Sequence, residues 1–234
     1  MCLGPVAMKT PHLIDPDMHV SELVLHHPWS WSVLRSHNID VCCGGDSTLS
    51  VACDRNSVDL EALQNEILKS DVVPPELVFW DQRPASDLIE HILDRFHAKH
   101  RRDLPVFLEM AQACEIAHGS GPDWPEELLA HLEHMAAELE LHMRKEEEVL
   151  FPLILRGMGR HALTPIGVLK GEHEDHGDHL KRMREMTDQF RAPAHACATW
   201  VGLYRNLATL EDELMMHIHL ENNLLFPRVL KGEG

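Results

Sequence analysis

One long motif occurs twice in this chain of 234 residues. The segments HMRKEEEVLFP, which begins at His142, and HIHLENNLLFP, which begins at His217, lie 75 residues apart. Both read His, three residues, Glu, three more residues and Leu-Phe-Pro. Residues four apart share one face of an α-helix, so His142 and Glu146 are predicted to point the same way, as are His217 and Glu221. The repeat therefore predicts a duplicated helix rather than two unrelated ligand pairs.

A second motif repeats with almost the same offset. The segment RFHAKHRRDL contains His97 and His100, and GEHEDHGDHL contains His173 and His176 at the same spacing. From His97 to His173 is 76 residues. Nearly equal offsets in two different motifs indicate a duplicated helix pair, with a pseudo-twofold axis between the halves.

Four long segments carry apolar residues at three- and four-residue spacing, which is typical of amphipathic helices. They are predicted to begin near Ser86, Asp123, Thr164 and Pro193, and to end near Gly119, Phe151, Arg191 and Phe226. Each Leu-Phe-Pro is predicted to end its helix, because the residue before a proline disfavours the helical conformation. The predicted fold class is all-α, with an antiparallel four-helix bundle.

The segment VVPPELVFWDQRP, residues 72–84, contains three prolines and is predicted to be a linker. Residues 19–71 before it alternate short helical patterns with turn signals, which predicts a small helical domain containing Cys-Cys-Gly-Gly-Asp. Residues 85–234 after it form the predicted bundle.

Net charge and composition limit the partners. The formal net charge of −17 repels phosphate backbones and anionic lipid, so we expect neither nucleic acid nor a membrane as a partner. No segment approaches the roughly 20 apolar residues of a membrane span, and the N-terminus has no signal-peptide pattern. The six cysteines are therefore expected to be reduced thiols in the cytoplasm. The 19 histidines make metal binding the first hypothesis.

The two repeats together supply four imidazoles and two carboxylates. This set is too large for one tetrahedral metal and too poor in oxygen for calcium, but it suits two transition metals that share carboxylates. Imidazole and carboxylate without thiolate favour iron or manganese. The spacing leaves open whether His97 or His100 is the ligand of its helix.

The sequence predicts the roles of other polar residues on these helices less specifically. Glu138 and Glu172 are expected near the metals as hydrogen-bond partners, proton relays or lining of an access path, or else on a solvated face. Glu147 and Glu148 are expected on the solvated surface. Surface or core positions without metal are also expected for the histidines that lack a symmetry mate with a carboxylate, namely His26, His27, His131, His134, His161, His179 and His219.

The motifs NIDVCCGGDSTL, RFHAKHRRDLP, HMRKEEEVLFP, GEHEDH and HIHLENNLLFPR together resemble the iron-sulfur cluster repair di-iron proteins, which have a hemerythrin-like C-terminal domain. The resemblance covers the chain from about His19, so residues 1–18 look like an N-terminal extension. It implies a hemerythrin-like bundle with two iron ions in an oxo- and carboxylate-bridged non-haem di-iron centre.

The resemblance also implies roles for single residues. It implies a ligand set of His97, His142, Glu146, His173, His217 and Glu221. Glu138 and Glu172 are implicated in iron access and lability. The family's cysteine pair falls on Cys42 and Cys43, in a domain proposed to reach the bundle or a client. Two exposed thiols at a Gly-Gly turn could accept nitrosyl, form a transient disulfide or pass iron on, or the pair could simply be small residues packed at a turn.

The function implied is repair of iron-sulfur clusters damaged by nitrosative or oxidative stress, through donation or handling of iron. The expected partners are damaged iron-sulfur proteins as clients and nitric oxide or oxygen as small ligands; a homodimer is compatible with the sequence. The alternatives are a di-iron nitric oxide reductase, which would be an enzyme, and a hemerythrin-like sensor of oxygen or nitric oxide.

Overall fold

The computed structural model describes residues 14–42, 44–77, 80 and 83–232. The chain divides into two compact units, residues 1–78 and 79–234. The described parts of both units are helical, and their only extended pairing is a single bridge between His19 and Thr48. The prediction of an all-α protein is confirmed. Within the described ranges, no helix has the length and apolar character required to span a membrane.

The described residues of the first unit form four short helices around a small apolar core. They are α1 (Val20–His26), α2 (Ser30–Ser36), α3 (Leu49–Asn56) and α4 (Leu60–Lys69). Side-chain caps fix where the last two begin: Thr48 Oγ1 accepts the Val51 N–H at 3.4 Å, and Asp59 Oδ1 accepts the Ala62 N–H at 2.7 Å. Two short 3₁₀ turns, Gly44–Asp46 and Pro75–Leu77, complete the described part of this unit.

In the second unit, the residues that the structure describes form four long bundle helices, three of which combine α-helical and π-helical segments. The first bundle helix consists of α5 (Ala85–His91), a π segment (Ile92–His97) and α6 (Ala98–His118). The second consists of α7 (Leu128–Lys145), a π segment (Glu146–Leu150) and α8 (Phe151–Leu155). The third is α9 (Leu163–Met186), preceded by a 3₁₀ turn at Gly159–His161. The fourth consists of α10 (Ala198–His219), a π segment (Leu220–Leu225) and α11 (Phe226–Lys231).

The prediction that each Leu-Phe-Pro ends its helix is wrong. The second bundle helix continues through Pro152 to Leu155, and the fourth continues through Pro227 to Lys231. In both cases the proline lies in the first turn of the α-helix that follows a π segment. Proline is tolerated there because the widened turn changes the hydrogen-bond register, and the first turn of the new segment does not need the missing N–H.

Three other predicted helix ends are shifted by five residues. The second and fourth bundle helices begin at Leu128 and Ala198, because the residues after Pro125 and Pro193 first form tight turns. The third ends at Met186, because the residues at 188–190 have positive φ angles of 47°, 59° and 58°. Such left-handed conformations cannot continue a right-handed helix.

Candidate metal centre

Two groups of four buried side chains meet in the middle of the bundle. The groups are His97, Glu146, His217 and Glu221, and His142, Glu146, His173 and Glu221. In each group the candidate ligand atoms all lie within 4.8 Å of one another. The two groups share both carboxylates, so all six predicted ligands are brought together around two adjacent positions.

Each carboxylate directs one oxygen to each group. Glu146 Oε2 lies 3.3 Å from His97 Nε2, whereas Glu146 Oε1 lies 3.4 Å from His142 Nε2. Glu221 Oε1 lies 3.3 Å from His217 Nε2, whereas Glu221 Oε2 lies 3.1 Å from His173 Nε2. This division of oxygens is the arrangement that two carboxylates need to bridge two cations.

The imidazole nitrogens face one another in pairs across the same two positions. His97 Nε2 lies 3.2 Å from His217 Nε2, and His142 Nε2 lies 3.0 Å from His173 Nε2. At most one nitrogen of each pair can carry a hydrogen towards the other. A cation between them would use the lone pairs of both neutral rings.

The burial of the two carboxylates also fits a metal. Glu146 and Glu221 have 0% exposure, and among the described residues no group gives any of their four oxygens a hydrogen bond of good geometry. Burying carboxylates without compensation is costly. Burial alone would lower the pKa of His142, but the negative charges of Glu146 and Glu221 raise it to about 9. The residues present therefore suit one or two metal cations.

The π segments place several of these ligands. His97 is the last residue of the first π segment, Glu146 is the first residue of the second, and Glu221 lies in the third. His173 lies instead in the plain α-helix α9. A π segment rotates the residues after it relative to those before it, and such segments are frequent at functional sites.

One outer hydrogen bond is repeated in both halves of the bundle. Glu147 Oε1 lies 2.8 Å from His97 Nδ1, and Asn222 Oδ1 lies 2.9 Å from His173 Nδ1. These partners fix the ring orientation, so that Nε2 faces the carboxylates. The expectation that Glu147 is solvated surface is therefore wrong; Arg101 holds its carboxylate from the outer side at 2.6 Å. Glu148, at 63% side-chain exposure, is on the surface as expected.

The other two histidines of the ligand groups, His142 and His217, have different neighbours. Glu172 Oε2 lies 3.0 Å from His142 Nδ1, and Lys145 also binds this carboxylate. The equivalent position in the first half is Phe96, whose ring stacks on His217 at 5.4 Å with an interplanar angle of 7°. Glu172 is 23% exposed and thus provides a polar connection from His142 towards solvent.

The structure gives the repeated Leu-Phe-Pro a packing role. Phe151 stacks on His97 at 5.9 Å between ring centroids, and Phe226 stacks on His173 at 5.8 Å with the rings 2° from parallel. Both phenylalanines are buried. They exclude water from one side of the candidate centre.

His100 and His176, the second members of the His pairs, are buried but belong to neither group. His100 Nε2 and both ring nitrogens of His176 have no hydrogen-bond partner within the described part of the chain. Burial holds the pKa of His100 well below its usual value and that of His176 at about 2, so both rings are neutral.

Glu138 lies outside the two groups. Its Oε2 is 2.7 Å from His179 Nε2, and its Oε1 is 3.3 Å from His134 Nε2. His134, Glu138 and His179 form a third set of groups with metal-ligand spacing. This set was not predicted, although part of its signal is present in the sequence: His134, Glu138, His142 and Glu146 follow one another at intervals of four residues.

In the first unit, the expectation of an exposed thiol at Cys42 is wrong. Cys42 is 3% exposed, and its Sγ donates to Asp40 Oδ1 at 3.2 Å. Gly44 follows in a turn that approaches Asp40 closely, since a Cβ at Gly44 would lie 3.1 Å from the Asp40 Cβ. Cys43 and Cys2 lie outside the described residues.

Comparison with known proteins defines the class. Residues 88–229 match the Hemerythrin HHE cation binding domain, and residues 16–71 match a domain of unknown function, DUF542. The second unit is thus a hemerythrin domain, for which iron binding is implied.

The relatives extend the match to nearly the whole chain. The protein "Iron-sulfur cluster repair protein YtfE" of Musicola paradisiaca (strain Ech703) is 41% identical over 215 residues, which cover 92% of this chain and 97% of that protein. Proteins of the same name from Yersinia pseudotuberculosis serotype IB (41% over 211 residues; 90% and 96% covered) and Escherichia coli O157:H7 (40% over 217 residues; 93% and 98% covered) are similar. The chain belongs to this family of iron-sulfur cluster repair proteins.

Proposed function

We propose that this protein holds two iron ions in the centre of the bundle and uses them to repair iron-sulfur clusters. One observation carries the proposal: the two groups of buried ligands share both carboxylates, and each carboxylate directs one oxygen to each group. The proposed ligands are His97, His142, Glu146, His173, His217 and Glu221.

The side chains around these ligands have separate tasks in the proposal. Glu147 and Asn222 orient the rings of His97 and His173, and the stacked Phe151 and Phe226 keep water from one side. Glu172 accepts or returns the proton at His142 Nδ1, because it joins that atom to the partly exposed Lys145. Bound iron would supply redox chemistry and exchangeable metal for a client.

The division of the chain into an extension (1–18), a small domain (19–71), a linker (72–84) and a bundle (85–234) belongs to this proposal. The proposal also includes damaged iron-sulfur proteins as clients and nitric oxide or oxygen as small ligands. It places the protein in the cytoplasm, where such clients are present. Burial of Cys42 favours a structural role for that thiol over direct handling of iron.

Metal analysis of protein purified under anaerobic conditions tests the ligands. Wild-type protein should retain about two irons per chain, and Glu146→Leu or Glu221→Leu should retain fewer than one. His100→Ala is the matched control, since His100 is equally buried but lies outside both ligand groups; it should retain as much iron as the wild type. Equal iron in all variants would refute the proposed centre.

A second experiment distinguishes iron donation from catalytic reduction of nitric oxide. The diferrous protein is incubated with nitric oxide, and both nitrous oxide and iron transfer to an apo-ferredoxin are followed. Stoichiometric transfer without repeated nitrous oxide formation supports iron donation. Repeated turnover without transfer would contradict donation and favour the nitric oxide reductase alternative.

A further inference from the structure

The third group of side chains with metal-ligand spacing lies between the second and third bundle helices, and it contains none of the six proposed ligands. His134 and Glu138 come from α7 and His179 from α9, and their candidate ligand atoms all lie within 4.8 Å of one another. Glu138 directs one oxygen to each imidazole, at 3.3 Å and 2.7 Å. Ligands about 2.0–2.2 Å from a tetrahedral ion are roughly 3.3–3.6 Å apart, so small side-chain movements would admit one.

The pseudo-equivalent place, between the first and fourth bundle helices, shows what is unusual about this group. The residue equivalent to Glu138 is Glu213, which Arg95 binds at 2.9 Å and 3.0 Å and which Lys99 approaches at 3.6 Å. Lys99 also pairs with Asp103, the equivalent of His179. Two fixed cations therefore neutralise the carboxylates on that side.

The place between the second and third bundle helices lacks the cations that correspond to Arg95 and Lys99. The positions equivalent to Arg95 and Lys99 are Gly171 and Asp175. Within the described ranges no lysine or arginine pairs with Glu138, whose ionic partners are the two histidines. Where the place between the first and fourth bundle helices has built-in cations, the place between the second and third has a carboxylate between imidazoles, which is a donor set that divalent transition metals prefer.

The group is accessible and partly held in place. The side chain of His134 is 61% exposed, whereas that of His179 is 20% exposed. His131 supports α9 at this point, because its Nε2 donates to the His179 carbonyl oxygen at 3.0 Å and its ring packs 5.2 Å from that of His179. An ion from solvent could reach the group without opening the bundle.

The group also lies in line with the buried centre. On α7, His134, Glu138 and His142 are spaced four residues apart and thus share one helix face, with about 6 Å of helix rise between neighbours. On α9, His176 lies between His173 and His179 at intervals of three residues. Its ring is 2% exposed and packs edge-on against His142, 5.0 Å between centroids.

No hydrogen bond within the described part of the chain accounts for the burial of the His176 imidazole. Neither of its ring nitrogens has a hydrogen-bond partner among the residues described, although leaving buried polar atoms unpaired is unfavourable. The ring nitrogens are the atoms through which histidine binds metals.

We propose that His134, Glu138 and His179 form a further, solvent-accessible site for a divalent first-row transition ion, and that His176 is a ligand on the path between this site and the buried centre. The binding site itself stands independently of the proposed repair function. Its use as a staging position for iron rests on that function.

Zinc binding to the iron-loaded protein tests the site. The protein is dialysed to equilibrium against Zn²⁺ at neutral pH, and bound zinc and iron are both measured. The wild type should bind one more zinc than His134→Ala/His179→Ala, at unchanged iron content. The control His161→Ala/His195→Ala also removes two histidines outside the buried centre and should match the wild type. Equal zinc in the wild type and the first double variant would refute the site.

A charge substitution gives a second test that leaves the three ligands in place. Asp175→Lys puts an ammonium group at the position that Lys99 occupies in the other half, so zinc affinity should fall at least about tenfold. Unchanged affinity would contradict the argument from the missing cations. The melting temperature of each variant shows whether the bundle remains folded.

The staging role is tested by the rate at which a ferrous chelator removes iron from the reduced protein. His176→Leu and the His134→Ala/His179→Ala variant should both release iron about tenfold more slowly than the wild type and the control pair. Equal rates of iron release in all variants would refute the path through His176, but they would not affect the conclusion from zinc binding. Failure of iron transfer to apo-ferredoxin, with zinc binding preserved, would count against the repair function alone.

Discussion

Removal of the metal is predicted to destabilise the bundle strongly. The reason lies in the carboxylates of Glu146 and Glu221, which are completely buried and whose four oxygens have no well-aligned donor within the described residues. The neighbouring imidazole nitrogens, at 3.1 to 3.4 Å, offset part of this cost in the metal-free protein. A bound cation would offset the rest.

The magnitude follows from the number of oxygens. An unsatisfied buried acceptor costs about 1–3 kcal/mol, and the lower value suits atoms with an imidazole nearby. Four oxygens then give about 4 kcal/mol, which is the stabilisation expected of a ligand present at about 1,000 times its Kd. For a protein of this size, about 4 kcal/mol corresponds to a melting temperature roughly 8–16 °C higher with metal than without.

Differential scanning calorimetry of the anaerobic iron protein and of the same protein after chelation measures this difference. The double variant Glu146→Gln/Glu221→Gln is the control, because amides keep the shape of the side chains but remove the bridging charges; its melting temperature should be the same with and without iron. If the wild type melts within about 2 °C in both forms, the buried carboxylates do not depend on metal and the reasoning is wrong.

Three further predictions concern other parts of the molecule. Replacement of the buried ring in Phe226→Ala should lower the free energy of unfolding by about 3–5 kcal/mol, measured by urea denaturation, and a loss under about 1 kcal/mol would contradict its packing role. Backbone hydrogen bonds at the start of the fourth bundle helix lower the pKa of the Cys197 thiol to about 7, whereas burial raises that of Cys114 to about 11. Iodoacetamide should therefore label Cys197 at a rate that rises with pH to a half-maximum near 7 and should leave Cys114 unmodified, as checked by peptide mass mapping. Asp59→Ala removes the α4 cap and should cost about 0.5–2 kcal/mol in chemical unfolding, while Asp59→Asn should cost much less.

Much of the bundle could be predicted from the repeats. Apolar spacing and the offsets of 75 and 76 residues predicted four helices in two related pairs. Helix ends were less predictable, because the rule that proline ends a helix assumes an undisturbed α-helix before it. At Pro152 and Pro227 a π segment comes first, and nothing in the local sequence distinguishes that case from a true end.

Residues around the proposed ligands were harder to predict than the ligands themselves. Glu147 looked like one of three consecutive surface glutamates, yet the π segment that begins at Glu146 places it against His97. In the sequence His134 and His179 lack a symmetry mate with a carboxylate, because their shared partner Glu138 is near His179 only across the helix pair. Burial of Cys42 depends likewise on contacts within its small domain.

The sequence by itself determined the ligand types, their spacing on each helix and the twofold repetition, because helical periodicity depends only on the positions of residues along the chain. Only the tertiary structure decided which carboxylate oxygen faces which ligand group, why His97 rather than His100 lies with the carboxylates, and where the group around Glu138 is formed. Those properties depend on the rotation of each helix against its neighbours. A single helix does not encode this rotation in its own periodicity, and in three of the four bundle helices a π segment changes it further.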